Sequence, residues 1–369
     1  MTHRTAVLGM LAVAGAALAA YAAAGALVFL RGTRVKPDCG GRFAGFTPAA
    51  FTATWGDPAD SRIPFGQFDA AAYLMPGYET VSIPSRDPAI TMSAWFVPAG
   101  EPANGCAVLM IHGYGSCKRD PVVLLPAGML HRNGFAVLLA DLRDNGDSTI
   151  EDGRSAGGTD DFRDVLGAWD WLIAEKGFDP SDIGIFGGSL GANSVLIAMG
   201  EEPRVAAAWE DSGWSNAKVA IREELAFRRY PTWLAPAAIA MARLIGGVDM
   251  GSRSPEQALR RLAGRPLAIV HGDPDQRVLT HHAFDLAAAA QEGGVAVEPW
   301  IIPSPGHTIG MFLFTDEYER RLVDFFSAGL GMPAPKDGRS RAPDGQAPSS
   351  SSTRPSPSRR RTSATSSLS

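Results

Sequence analysis

The sequence has few cysteines and no basic stripe, and each shortage excludes a class of protein. Its 369 residues include three cysteines, Cys39, Cys106 and Cys117, too few and too irregularly spaced to predict a disulfide framework or a zinc site. The net charge is −5, although residues 336–369 carry seven Lys/Arg against two acidic residues. The rest of the chain is therefore acidic, which argues against nucleic acid as a partner. The cysteines leave the redox compartment open.

Charged residues are also absent from a long stretch near the N-terminus. Residues 5–30 are all uncharged, with Arg4 before them and three basic residues soon after them. A helix of this length, rising about 1.5 Å per residue, could cross a bilayer core of roughly 30 Å. We expect residues 1–36 to be a single-pass membrane anchor with its flank, the alternative being a cleaved secretory signal. Positive charges on both sides leave the side of the membrane open.

Composition divides the rest of the chain into three parts. Residues 37–78 are rich in glycine, proline and small residues and are predicted to be a linker that packs on the following domain. Strand and helix patterns then alternate over 79–332, which we expect to be one folded domain. Residues 333–369 are rich in Ser, Pro and Arg without apolar periodicity, a composition typical of a disordered tail.

The alternation over 79–332 predicts the fold class. Residues 79–99 resemble a hairpin that turns at 86–88. Several later runs are continuously apolar, as in parallel strands that are buried on both faces, and one of the intervening helices is expected to begin at Thr159 as its N-cap. The predicted strands of the parallel part are 106–113, 135–143, 183–188, 205–211, 266–272 and 295–303. This order predicts an α/β fold with a mostly parallel central sheet and helices on both faces.

A serine stands at one of the predicted strand-to-helix turns. Residues 185–194 read IFGGSLGANS, so Ser189 has glycines two positions before and after it. Chance can produce this G-x-S-x-G pattern, but here a buried strand precedes the serine and a helix follows it. The turn would hold the hydroxyl above the sheet, near the positive end of the helix. Ser189 is therefore the predicted nucleophile.

A serine hydroxyl is a weak nucleophile and needs a histidine base. Among seven histidines, His307 follows the last predicted strand on a glycine-bounded loop, and it is the predicted base. His112 and His271 each end a strand, and we expect them to anchor loops.

The base must in turn be oriented by an acid. Asp275 is the predicted acid because it lies farther along its loop than Asp273, which is expected to shape the turn beside Pro274. Glu210 and Asp211 end the preceding strand, and Asp211 is the main alternative. The HGDPD spacing has no second His/Asp cluster to support a metal site, so neither a metal nor a cofactor is expected.

Acyl transfer also needs hydrogen-bond donors for the developing oxyanion. The backbone N–H of Leu190, directly after the nucleophile, is the first predicted donor. The second is expected from the loop after 106–113, where Tyr114 is the natural candidate. Tyr114 could equally form a wall of the pocket, and the two roles are compatible.

With Ser189, Asp275 and His307 in that order, the sequence resembles the α/β-hydrolase superfamily. It looks most like the bacterial branch with minimal caps, akin to the serine-aminopeptidase-like and dienelactone-hydrolase-like groups. The resemblance covers about residues 79–330 and implies the fold and acyl transfer, but no particular substrate. DLRDNGDS departs from the commoner form, which has a histidine before the second glycine. The motifs that carry the resemblance are HGYGS (112–116), DLRDNGDS (141–148), GGSLG (187–191), HGDPD (271–275) and GH (306–307).

The function expected first is that of a membrane-anchored serine hydrolase that cleaves carboxylic esters through an acyl-enzyme on Ser189. A peptidase or amidase would use the same triad, and a non-catalytic scaffold is disfavoured because the triad is complete. An insertion at about 214–265 occupies the place of a lid, and its apolar residues either line an acyl pocket or pack on the sheet. The expected partners are a small-molecule ester, with an apolar acyl part, and the membrane.

Overall fold

The continuously apolar runs of the sequence form the centre of an eight-stranded sheet. The computed structural model describes residues 3–41, 43–52, 69–303 and 306–330. The predicted tail and residues 53–68 of the predicted linker lie outside these ranges. The strands are β1 (Glu79–Pro84), β2 (Thr91–Val97), β3 (Ala107–Ile111), β4 (Ala136–Ala140), β5 (Ile183–Gly188), β6 (Ala207–Asp211), β7 (Leu267–Gly272) and β8 (Trp300–Ile302).

The strand order is β1-β2-β4-β3-β5-β6-β7-β8. The first two strands form an antiparallel hairpin, β2 pairs antiparallel with β4, and all later neighbours are parallel. Parallel strands end at one edge of the sheet, so the loops after β5, β6, β7 and β8 meet there. The predicted mostly parallel α/β fold is confirmed.

Helices cover both faces of the sheet. One apolar core packs α3, α4 and α8 against one face, and a second packs α2 and α10 against the other. Within the described residues, the α-helices are α1 (His3–Gly32), α2 (Pro121–His131), α3 (Phe162–Lys176), α4 (Leu190–Glu201), α5 (Ala217–Phe227), α6 (Ala235–Ile245), α7 (Pro255–Leu259), α8 (His281–Glu292), α9 (Gly310–Leu313) and α10 (Thr315–Gly329).

Several predicted boundaries were wrong by two or more residues, and two of them have a clear physical reason. Helix α3 begins at Phe162 rather than after Thr159, because the Thr159 hydroxyl donates to the carbonyl of Ala156 (2.8 Å) instead of capping the helix. Strand β8 covers only Trp300–Ile302 instead of 295–303. Pro299 directly precedes it, and a proline has no N–H to contribute to a strand ladder.

Helix α1 packs along the insertion. Tyr21 stacks on Trp233 with ring centroids 5.7 Å apart, and its hydroxyl donates to the Trp233 carbonyl. Four residues on, Gly25 lies so close to Ala237 that any side chain would collide with it. One turn further, Phe29 packs in a cluster with Ala242. The contacting residue numbers increase together along α1 and along the insertion, so α1 and α6 run parallel. A glycine lies where the two helices approach most closely.

The segment after α1 is tied to the loops at the carboxyl edge of the sheet. Cys39 and Cys117 form a buried disulfide with their Cα atoms 5.6 Å apart. The Val35 N–H donates to the Gly153 carbonyl (2.9 Å) and the Ser155 N–H to the Thr33 carbonyl (2.8 Å). The spacing of the three cysteines did not reveal this pairing, because it joins residues 78 positions apart.

Candidate active site

The turn between β5 and α4 holds Ser189 in a backbone conformation that non-glycine residues rarely adopt. Its φ is 55° and its ψ is −118°, a strained combination of the kind that concentrates at functional sites. Side chains at either flanking glycine are excluded, since a Cβ on Gly187 would collide with the backbone of Gly191 and a Cβ on Gly191 with the carbonyl of Ile111. The G-x-S-x-G pattern is therefore a packing requirement of this turn.

The three residues of the predicted triad lie together. His307 Nε2 is 2.7 Å from Ser189 Oγ, and His307 Nδ1 is 2.7 Å from Asp275 Oδ2. A neutral imidazole has one donor and one acceptor nitrogen. With Nδ1–H donating to the carboxylate, Nε2 is free to accept the serine proton, which is the tautomer that a general base requires.

Asp275 is held as an ionised acceptor. Its side chain is buried, and Oδ1 accepts the backbone N–H groups of Arg277 (2.8 Å) and Val278 (3.1 Å) while Oδ2 faces His307. Burial acts to raise the pKa of this carboxyl, but the nearby His307 and the N–H donors outweigh burial and lower the pKa below its usual range.

The alternative acids occupy other environments. Asp273 accepts a hydrogen bond from the Thr280 hydroxyl (3.1 Å), in keeping with the expected turn-shaping role. Asp211 is buried in β6, where it accepts from the Tyr318 hydroxyl (2.7 Å) and the Ser212 hydroxyl (2.8 Å). Burial raises the pKa of Asp211 to about 6. Glu210 is fully buried, accepts from the Gly213 N–H (2.9 Å), and has a pKa that burial raises well above its usual value.

The two predicted oxyanion donors border Ser189 from different elements. Leu190 is the first residue of α4, where backbone N–H groups have no partner within the helix. A Cβ on Gly113, the residue before Tyr114, would lie 3.7 Å from Ser189 Oγ, so this loop reaches the Ser189 side chain. The Tyr114 side chain points to the C-terminal end of α1, where its hydroxyl donates to the carbonyls of Gly32 (3.1 Å) and Arg34 (2.7 Å).

The other strand-end histidines hold loops. His112 Nε2 accepts the Leu142 N–H (3.0 Å), and His271 Nε2 contacts the Val278 carbonyl (2.8 Å) next to the acid. Burial lowers the pKa of both imidazoles. His271 therefore supports the loop that carries Asp275.

Sequence reasoning missed the hydrogen-bond network behind Ser189. The Ser189 N–H donates to the Asp211 carbonyl (2.8 Å). The Asp211 carboxyl accepts a hydrogen bond from the Tyr318 hydroxyl, which in turn accepts one from Trp209 Nε1 (3.1 Å). Tyr318 lies on α10, 107 positions from Asp211. No local pattern in the sequence marks this contact.

The sheet order and the strand-to-helix turn at the serine are those of the α/β-hydrolase superfamily, as the sequence resemblance predicted. Solved structures with this fold include an esterase of Pyrococcus furiosus (TM-score 0.57, 20% identity), of which the match covers 96% and of this chain 72%. The α/β-hydrolase GrgF of Penicillium sp. is similar with a TM-score of 0.55 and 20% identity, over 69% of this chain and 99% of GrgF. At these identities the likeness concerns the fold alone.

Residues 126–333 match the model of the prolyl oligopeptidase family, and the chain belongs to this family. An uncharacterized protein of Mycobacterium tuberculosis is 26% identical over 247 residues, which are 66% of this chain and 76% of the relative. Dipeptidyl peptidase family member 6 of Caenorhabditis elegans is 24% identical over 233 residues, 61% of this chain but only 31% of that protein. The chain is thus a hydrolase of a family that contains peptidases, with a fold shared by esterases.

Proposed function

We propose that this chain is a serine hydrolase that cleaves carboxylic esters through an acyl-enzyme on Ser189. The observation that carries the proposal is the continuous hydrogen-bonded series from Ser189 Oγ through His307 to Asp275, with two contacts of 2.7 Å. Each side chain is oriented by the next, which is the arrangement that activates a serine.

The proposed reaction has two halves. Ser189 Oγ attacks the ester carbonyl while His307 Nε2 takes the hydroxyl proton, and the oxyanion is held by the N–H groups of Leu190 and Tyr114. Collapse of the tetrahedral intermediate expels the alcohol, which receives the proton from His307. Water then attacks the acyl-enzyme with His307 again as base, releasing the carboxylic acid and restoring Ser189. Asp275 stabilises the imidazolium in both halves.

Peptide or amide cleavage is the second candidate function. Membership in the prolyl oligopeptidase family favours it, and the same three residues would perform it. The choice between esters and amides rests on the leaving group: an amine must be protonated as it departs, and an alcohol is the better leaving group. The apolar α1 and the insertion against which it packs favour an ester with an apolar acyl part.

Labelling by a fluorophosphonate probe tests the nucleophile. The full chain in detergent should label stoichiometrically, and Ser189→Ala should lose the label while keeping the wild-type circular dichroism spectrum. Ser212→Ala is a matched control, because Ser212 donates to Asp211 rather than to a histidine. Labelling that persists in Ser189→Ala would place the nucleophile elsewhere.

Substrate panels distinguish the two candidate reactions. We expect hydrolysis of p-nitrophenyl esters of short to medium acyl chains, and far slower hydrolysis of aminoacyl anilides under the same conditions. Preference for anilides over every ester, in a protein that still labels at Ser189, would assign it to the peptidases.

We further propose that α1 is a single-pass anchor and that the hydrolase domain lies on the oxidising side of the membrane. Among the residues the structure describes, α1 is the helix long and apolar enough to cross a bilayer. The Tyr21–Trp233 pair has the character of an aromatic belt at the membrane interface. The buried Cys39–Cys117 disulfide supports the orientation, because disulfides persist in oxidising compartments.

Thiol labelling of the denatured protein from intact cells tests this orientation. Cys39 and Cys117 should react with maleimide only after reduction, while Cys106, a free cysteine, should react without it and so provides the internal control. Finding all three thiols reactive before reduction would place the domain in a reducing compartment.

A further inference from the structure

A second group of histidines lies where the insertion meets the hydrolase core. His281 and His282 are the first two residues of α8, and both Nε2 atoms face the carboxylate of Glu223 on α5. His281 Nε2 is 2.8 Å from Glu223 Oε1, and His282 Nε2 is 2.9 Å from Glu223 Oε2. The three ligand atoms lie within 4.8 Å of one another.

The Nδ1 atom of His281 is directed at a carboxylate, and the Nδ1 atom of His282 is directed at Ser215. His281 Nδ1 lies 3.1 Å from Asp285 Oδ2. His282 Nδ1 accepts the Ser215 backbone N–H (3.2 Å) and lies 2.9 Å from Ser215 Oγ, which in turn donates to Asp285 Oδ2 (3.2 Å). His281 thus has a carboxylate at both nitrogens, although a neutral imidazole carries one N–H and can donate to only one of them.

Two arrangements satisfy both carboxylates: a proton on each nitrogen of His281, or a metal cation between the Nε2 atoms and Glu223. With Nε2 bound to the cation, the proton of His281 sits on Nδ1 and is donated to Asp285. Cation binding would also move the His282 proton from Nε2 to Nδ1, where the Ser215 hydroxyl replaces the Ser215 N–H as its hydrogen-bond partner. A carboxylate that receives the second N–H of a metal-bound histidine is the usual outer partner in such sites. Asp285 fills this place for His281 directly and for His282 through one hydroxyl.

We propose that His281, His282 and Glu223 bind a zinc-class divalent cation. Two imidazole nitrogens and one carboxylate oxygen form a ligand set that zinc accepts, whereas magnesium and calcium prefer oxygen ligands. The His282 side chain is fully buried and that of His281 is 45% exposed, so the fourth coordination position faces solvent. None of these residues belongs to the triad, and the site does not depend on the proposed reaction.

The bound cation would fasten the insertion to the core beside the catalytic acid. It would replace the hydrogen bonds that now join Glu223 on α5 to the two histidines of α8 with metal–ligand bonds. The next residue on α5, Glu224, is 3.4 Å from the guanidinium of Arg277, whose backbone N–H donates to Asp275. Zinc would therefore stabilise the position of α5 next to the loop that carries Asp275.

Zinc titration of the full chain, after chelator treatment, tests the proposal. By calorimetry with zinc chloride we expect one equivalent to bind, and His281→Ala and Glu223→Gln to weaken binding by at least tenfold. Asp285→Asn should weaken it by about 10- to 100-fold, the usual effect of losing an outer partner. His131→Ala is the matched control, since His131 lies on α2 and contacts the Pro98 carbonyl.

Two further readouts separate binding from folding. Cobalt chloride should give the visible absorption of a low-coordinate site in wild type and His131→Ala but not in His281→Ala. Zinc should raise the melting temperature of wild type and leave that of Glu223→Gln, which keeps the volume of the side chain, unchanged. Wild type that binds less than a tenth of an equivalent, or variants that bind zinc as tightly as wild type, would overturn the proposal.

Discussion

Two buried aspartates lie at the same edge of the sheet, one at the end of β6 and one after the neighbouring β7. Their surroundings shift their pKa values in opposite directions. Asp275 lies three residues beyond β7, and backbone N–H groups and His307 keep its pKa below the usual range despite burial. Asp211 is the last residue of β6, and burial raises its pKa to about 6 in spite of two hydroxyl donors. Fixed N–H dipoles and an imidazole favour the charged form of a carboxyl more than two hydroxyls do.

The position of each aspartate relative to its strand accounts for this difference in pKa. Asp211 stays within the sheet and its side chain turns toward α10, where Tyr318 donates to it. Asp275 lies in the loop after the strand, and His271 stabilises this loop through its contact with the Val278 carbonyl. An ionised carboxylate outside the sheet can stabilise a histidine that becomes positively charged, and a carboxyl that is easily protonated does so less well.

The largest difference between the two aspartates is expected in kcat when each is replaced by asparagine. We expect Asp275→Asn to lower kcat for an ester substrate by about 10³- to 10⁴-fold, because the histidine loses its orienting charge and tautomer. Asp211→Asn should lower kcat by less than about tenfold, since the amide oxygen can still accept from Tyr318 and the Ser212 hydroxyl can rotate to accept from the amide nitrogen. Asp273→Asn serves as a control in the Asp275 loop. Equal losses in the Asp275 and Asp211 variants would mean that both carboxyls support His307.

Much of this site could be predicted from local patterns. The elbow at Ser189 follows from a buried strand, two glycines and a helix, and the positions of Asp275 and His307 follow from strand ends that meet at one edge. The partner of an apolar helix cannot be predicted in this way. The insertion residues Trp233 and Ala237 pack on α1 rather than on the sheet. The hydrophobicity of a helix face predicts that the face is buried, but it does not predict which element covers it.

The pH dependence of stability should distinguish the same two residues. An unfolded aspartate has a pKa of about 3.9. The raised pKa of Asp211 means that its contribution to stability is present below about pH 4 and is lost as pH rises toward 6. The lowered pKa of Asp275 has the opposite sign: its contribution is present above about pH 4 and is lost as pH falls through its folded-state pKa.

Thermal unfolding of the asparagine variants measures this difference. Relative to wild type, Asp211→Asn should gain several degrees of melting temperature between pH 4.5 and pH 8, since one pKa unit corresponds to about 1.4 kcal/mol and 1 kcal/mol to roughly 2–4 °C. Asp275→Asn should keep a constant difference from wild type over this range and approach wild type only below about pH 4. Parallel curves for the two variants would contradict the assigned environments.

The smallest effect is expected from the hydroxyl that links Asp211 to α10. Tyr318 is fully buried, donates to Asp211 and accepts from Trp209 Nε1. Tyr318→Phe keeps the ring contacts with Trp209 but leaves one buried indole N–H without its acceptor, which costs about 1–3 kcal/mol. We expect the melting temperature to fall by a few degrees and kcat to change by less than about threefold, because Tyr318 contacts Asp211 rather than the triad. Tyr78→Phe, which alters a partly exposed tyrosine beside Trp95, should leave both quantities nearly unchanged. A loss of activity in Tyr318→Phe comparable to that of Asp275→Asn would show that the Asp211 network takes part in orienting His307.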